Sequence, residues 1–252
     1  MRCEWGLQGL RQLAPESDAV IVVDVLSFST AVEIAVARGA TVWPYRWKDE
    51  SAARFAAEKI AVLATGRGAA GYSLSPASLR LIPAGTSLVL PSPNGSTLSL
   101  SAAGTPTFTA CLRNARAVAE FVGGAAARVA VIPAGEQWRD GSLRPCLEDW
   151  IGAGAVLSML PGRRSPEAEM AAAAFEHFRG DLGRALRECA SGRELIERGF
   201  ACDVELAAEL GVSEAVPRLV GGVFVEGGPR SLLPRRKRQQ PEQDKRHRSP
   251  SH

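Results

Sequence analysis

Between Ala19 and Leu26 the chain reads Ala-Val-Ile-Val-Val-Asp-Val-Leu, a run of aliphatic residues with one acid near its end. No polar alternation breaks the run before Asp24. This is the pattern of a parallel strand with apolar neighbours on both faces. Such a strand commits the chain to a sheet buried inside a layered α/β core. The next residues agree with that reading. Ser27-Phe28-Ser29-Thr30 brings hydroxyls suited to capping, Ala31 to Arg38 has helical period, and Gly39 stops it.

The same alternation recurs along the chain. Strands are expected over 40–44, 61–64, 86–90, 106–112 and 128–133. Helices are expected over 48–60, 94–103, 113–122 and 146–160, with short connections between. After Gly162 the texture changes. Ser165-Pro166-Glu167 is a helix start, three or four helical stretches follow, and 217–225 reads as a short hairpin or terminal strand. The fold class is therefore α/β, a largely parallel sheet with helices on both faces and a helical C-terminal extension. Residues 1–162 form the core, 163–226 a helical part of the same unit, and 227–252 a basic tail expected to be disordered.

Composition narrows the chemistry. The 252 residues contain three histidines, His177, His247 and His252, and the last two lie in the tail. A Ser-His-Asp triad or a histidine zinc site has almost no material to draw on. The five cysteines, Cys3, Cys111, Cys146, Cys189 and Cys202, show no Cys-x-x-Cys spacing, which argues against a zinc knuckle or a disulfide framework. Any metal would take oxygen ligands, which makes magnesium the natural choice. After Pro234 the chain carries seven basic and two acidic residues, so +5 of charge sits in the tail. With a net charge of +3, the body carries −2, so a nucleic-acid surface is not expected on it. No signal peptide is read at the N-terminus, and the longest apolar stretch, 151–160, is too short to span a bilayer. A cytoplasmic protein is expected. Trp43 and Trp47 mark a candidate surface for self-association, or cover the sheet edge.

In an open parallel sheet, ligands bind beyond the carboxyl ends of the strands. The residues expected there are Asp24 with Ser27 and Thr30, Arg67, the turn Asn94-Gly95-Ser96, Arg113 with Asn114, and Glu136. Glu148 and Asp149 open the next helix. Arginine forks onto phosphate or sulfonate, and carboxylates with phosphate oxygens hold magnesium. Each residue also has a plainer role. Asp24 could cap a helix, Asn94-Gly95 could be only a tight turn, Glu148 and Asp149 could complement a helix N-terminus, and Arg113 could bridge to an acid. Cys111 reads as an inert buried thiol and His177 as a helix surface residue. Joint placement at strand ends favours a site for a small phosphorylated acid.

These segments, in this order, resemble the 2-phosphosulfolactate phosphatase family. The resemblance rests on Val23 to Thr30 with Arg38-Gly39-Ala40, on Gly66-Arg67-Gly68 leading to Leu74-Ser75-Pro76, and on Pro93-Asn94-Gly95-Ser96. Leu112-Arg113-Asn114-Ala115, Ala134-Gly135-Glu136 and Leu147 to Gly154 complete it. It implies an α/β, magnesium-dependent hydrolase that converts (2R)-O-phospho-3-sulfolactate and water to 3-sulfolactate and phosphate. On that reading Asp24, Glu136, Glu148 and Asp149 are catalytic, with Asp24, Glu148 and Asp149 on the metal. Ser27, Thr30, Arg67, Asn94, Gly95, Ser96, Arg113 and Asn114 would bind substrate. The attack could pass through an aspartyl-phosphate at Asp24 or come directly from water. Four departures stand out: Ser27 where the family usually has arginine, Thr65 to Ala69 without the family's glutamate, Leu74 for an asparagine, and Ser92-Pro93 for two threonines. They leave a second reading open, a non-catalytic binder of a small phosphorylated or sulfonated anion. A third is an adaptor that binds nucleic acid through Arg235 to Arg238.

Overall fold

The computed structural model describes residues 1–102 and 104–228. In chain order the elements are β1 (Arg2–Cys3), α1 (Gly6–Leu13), β2 (Ala19–Val23), α2 (Phe28–Ala37), β3 (Thr41–Tyr45), α3 (Glu50–Glu58) and β4 (Val62–Leu63). Next come β5 (Ser87–Pro91), α4 (Gly95–Ser99), β6 (Thr107–Ala110), α5 (Ala115–Gly123), β7 (Val129–Pro133), β8 (Glu136–Gln137), β9 (Leu143–Arg144) and α6 (Leu147–Met159). The remainder is α7 (Pro166–Phe178), α8 (Leu182–Glu188), α9 (Ala190–Glu197), α10 (Ala201–Ala207), β10 (Pro217–Val220) and β11 (Val223–Glu226). Of the basic tail, only Gly227 and Gly228 lie among the described residues; the adaptor reading of Arg235 to Arg238 falls outside them.

Nine strands form one sheet in the order β1-β7-β2-β6-β10-β11-β3-β5-β4. Pairing is parallel within β1-β7-β2-β6 and within β3-β5-β4. The β10–β11 hairpin joins these blocks through three antiparallel steps. The α/β, largely parallel sheet expected from sequence is present. The hairpin adds something the sequence did not indicate: three reversals leave the two parallel blocks running in opposite directions.

The β2 run fits this setting. Ala19, Ile21 and Val23 pack in one apolar cluster with residues of α5 and α6, and Val20 and Val22 in another with α1 and α4. Each of the fully buried valines and the isoleucine contributes about 1.5–3 kcal/mol. The α2 helix is buried on every side from Phe28 to Val36, with its polar Ser29, Thr30 and Glu33 each held by a partner, and it packs against β3, β6, β10 and β11. Around α6 and α7 the backbones are in close contact, since a Cβ on Gly154 would stand 2.0 Å from the Ala171 carbonyl oxygen. Four elements were not expected, β1, α1 and the short pair β8 and β9, although Leu7, Leu10 and Leu13 recur at a helical spacing. Cys111 is buried, with its pKa pushed up to about 12 by burial, and His177 is exposed on α7. Trp43 is half-buried, donating to Ser87 Oγ at 3.0 Å, whereas Trp47 is 56% exposed. Among the described residues no helix is long and apolar enough to cross a membrane.

Candidate active site

Asp24 is the residue after β2. Its Oδ1 accepts from the Phe28 N–H at 3.1 Å, and its Oδ2 accepts from the Gly95 N–H at 3.0 Å. One carboxylate therefore joins the first residues of α2 and α4. Asp24 thus takes the capping role expected of Ser27, Ser29 and Thr30. The N-terminal ends of helices favour negative charge. Burial opposes it, and so do the Glu136 and Glu148 carboxylates, which with burial push the Asp24 pKa up to about 7 against the two amides. Gly95 is required for this approach: a Cβ there would stand 2.2 Å from Phe28 Cδ1.

Asp24 opens onto a cavity of about 450 Å³. Glu136, just after β7, faces the same space, and its Oε2 accepts from Asn94 Nδ2 at 2.8 Å. Burial is the main cause that raises the Glu136 pKa. Ser27 and Arg67 also line the cavity. Arg67 Nη2 donates to Ser27 Oγ and to the Leu74 carbonyl at 3.1 Å, while Nε lies 3.4 Å from Asp203 Oδ2. Loops from both parallel blocks thus converge here, bridged by the Gly95–Asp24 and Asn94–Glu136 bonds.

Glu148 and Asp149 stand behind the wall and do not line the cavity. Asp149 accepts from Val25 N–H at 2.7 Å and from Gly135 N–H at 2.8 Å, which ties the loop after β2 to the loop after β7. Burial, then Glu148 and Asp24, hold its pKa well above the carboxylate range. Glu148 is 2% exposed, and its Oε2 has no hydrogen-bond partner. The expected trio of Asp24, Glu148 and Asp149 does not converge as a metal cage. Among the described residues no group of three or more His, Cys, Asp or Glu is arranged to hold a metal ion.

Several expected substrate contacts are turned inward. Thr30 Oγ1 donates to the Val25 carbonyl at 2.7 Å, and Ser96 Oγ donates to the Leu90 carbonyl at 3.1 Å. Both residues are fully buried. The Gly95 N–H, expected to cradle phosphate, is taken by Asp24. Asn114 is buried, with Oδ1 accepting from Cys111 N–H and Nδ2 donating to the Ala215 carbonyl. Arg113 lies away from Asp24. It pairs with Glu33 at 2.6 Å and with Glu209, beside a separate hollow of about 200 Å³. Its role is a structural bridge, because both partners already satisfy its charge.

Other charged residues lining the cavity went unread in the sequence: Lys48, Arg144, Glu194 and Arg198, with Arg139 read only as solvent-facing. Arg144 pairs with Glu194 at 2.6 Å. Arg198 and Glu194 belong to the α9 region, so the C-terminal helices supply part of the site. No local motif announces them, since their segments meet only through the tertiary fold.

Comparison with known proteins agrees with the resemblance of the motifs. Residues 9–222 match the family described as 2-phosphosulpholactate phosphatase. A protein of Carboxydothermus hydrogenoformans is 32% identical over 213 residues, covering 80% of this chain and 86% of its own length. One of Deinococcus radiodurans is 30% identical over 237 residues, covering 88% and 97%. One of Gloeobacter violaceus is 29% identical over 229 residues, covering 86% and 95%. All three carry the name "Probable 2-phosphosulfolactate phosphatase". The chain belongs to the 2-phosphosulfolactate phosphatase family, a family of phosphoric monoester hydrolases.

Proposed function

We propose that this chain hydrolyses the phosphate ester of a small acid of the 2-phosphosulfolactate type, (2R)-O-phospho-3-sulfolactate and water giving 3-sulfolactate and phosphate, with magnesium. The observation that carries this reading is Asp24. It is a buried carboxylate with a pKa near 7, held by two backbone amides at the edge of a cavity lined by five cations, Lys48, Arg67, Arg139, Arg144 and Arg198. A base is most effective when its pKa lies near the working pH. In this reading water attacks phosphorus, Asp24 accepts the proton that water gives up, and the ester P–O bond breaks. The leaving alkoxide oxygen takes a proton from cavity water, and the proton on Asp24 restores it. The cations neutralise phosphate and the second acid group.

The residues present suit magnesium in an open form. Glu136 faces the cavity, and burial raises its pKa although Asn94 and Arg144 oppose the rise, so a cation beside it would offset the cost of its buried charge. Magnesium commonly uses one or two carboxylates and completes its shell with waters and substrate phosphate. Glu136 and the side-chain carbonyl of Asn94 beside it would hold it, and it would neutralise charge on the phosphoryl oxygens. In place of the Asp24, Glu148 and Asp149 set, this leaves Asp24 free to accept a proton.

The test is phosphate release from a panel of phosphorylated acids, with magnesium and with EDTA. Release from the sulfonated ester that is lost in EDTA is expected. Absence of release from every ester, with thermal stabilisation by the same ligands retained, would instead establish the binding-only reading.

A further inference from the structure

Two hollows flank the catalytic cavity, and their walls differ in chemistry. Beyond Asn94 and Glu136 lies a space of about 370 Å³ bounded by Trp5, Leu7, Leu98 and Leu143, a largely apolar lining. On the opposite side lies a space of about 560 Å³ between the start of α3 and the end of β4. It shares Lys48, Arg67, Leu74 and Arg198 with the catalytic cavity. Three cations therefore stand on the boundary between two connected spaces.

The three are not equivalent. Arg67 is committed to Ser27, to the Leu74 carbonyl and to buried Asp203, while both Arg67 and Arg198 lie over the Phe200 ring, at 5.7 and 5.9 Å. Lys48 and Arg198 have no carboxylate within ion-pair distance among the described residues, although Glu194 acts on Arg198, and Glu136 and Asp24 on Lys48, at longer range. Partial burial, then Arg67, with a smaller part from Arg198, pull the Lys48 pKa down. Like charges gathered on one wall repel unless an anion comes between them. The opposite wall, apolar and closed by the Asn94–Glu136 bond, gives an anion nothing comparable.

We propose that Lys48 and Arg198 form a second oxyanion subsite that holds the acid group of the substrate remote from its ester phosphate. Because Lys48 and Arg198 line both spaces, the second acid group lies on the side of the catalytic cavity that opens onto the hollow beyond β4. The inference rests on the phosphatase reading above and specifies where the second anion lies. Arg67 is then a positioning residue that anchors the boundary.

The test compares kcat/KM for 2-phosphosulfolactate with that for phenyl phosphate, which carries no second acid. In Lys48→Ala and Arg198→Ala the ratio of the two should fall at least about tenfold, the scale of one lost charge-assisted hydrogen bond. The fall should appear mainly in KM, and Lys48→Arg should recover much of the ratio. A ratio that stays constant in both alanine variants overturns the subsite. If the wild-type chain releases phosphate from neither ester, the phosphatase reading fails, and calorimetric binding of 3-sulfolactate decides the subsite by itself. Affinity about tenfold weaker in the alanine variants supports it, and equal affinity overturns it.

Discussion

At one end of α2, Asp24 accepts two backbone N–H bonds and faces a cavity walled by cations. Further along the same helix, buried Glu33 meets Arg113, which also pairs with Glu209. Both places bring a buried carboxylate near arginine. At Asp24 neutral amides hold the acid, burial and then neighbouring carboxylates raise its pKa, and none of the cavity's cations is within ion-pair distance among the described residues. At Glu33 the cation is in direct contact and is consumed by its partners. A group is available for chemistry when its charge is oriented yet left uncompensated, and it is structural when a fixed counter-charge already meets it.

The largest expected effect tests the structural half of this contrast. Arg113→Met leaves Glu33 buried without its cation and should cost about 3–5 kcal/mol in denaturant unfolding. Removing both charges, with Glu33→Gln beside Arg113→Met, should recover most of that loss. If the single variant is as stable as the parent, the bridge is not structural. Gly95→Ala comes next. Its Cβ would strike the Phe28 ring, so about 1–3 kcal/mol should be lost, with turnover impaired as the α4 start moves off Asp24. A Gly95→Ala variant with the parent's melting temperature and rate would show that the close approach is dispensable.

The effect of pH on Asp24 is smaller. Its folded-state pKa, about 7, lies above the usual value of 3.8, so folding favours the protonated form. The stability it contributes is full below pH 4 and is lost as pH rises to 7. In metal-free protein, Asp24→Asn should therefore gain on the parent, by a few degrees in melting temperature, between pH 5 and pH 8. A difference that does not vary with pH would show that the Asp24 pKa is ordinary. The smallest effect is at the cavity rim, where Glu194 is half-exposed. Glu194→Gln should change stability by about 0–1 kcal/mol, as measured by thermal melts, because solvent screens its pair with Arg144.

Much of the fold was legible because its signals are local. The β2 run, the stop at Gly39 and the Ser165-Pro166-Glu167 helix start each depend on a few adjacent residues. The central place of β10 and β11 was not legible, because it depends on pairings with β6 and β3 more than a hundred residues away. The site divides in the same way. Asp24, Asn94, Glu136 and Arg67 were found because they end strands or fill the loops beyond them. Thr30, Ser96 and Asn114 look equally polar in sequence, yet each satisfies a buried backbone group. Lys48 and Arg198 carry no motif, and only the packing of α9 across the cavity brings them together.

The most direct test of the contrast between the two carboxylates is phosphate release from 2-phosphosulfolactate by Asp24→Asn and Arg113→Met, each compared with the parent at equal folded fraction. Loss of a catalytic base should lower kcat by about 10²–10⁴ in Asp24→Asn, while Arg113→Met keeps a rate close to the parent's. A near-normal rate in Asp24→Asn, or the loss of turnover in a folded Arg113→Met, would contradict the placement of the active site at the N-terminal end of α2.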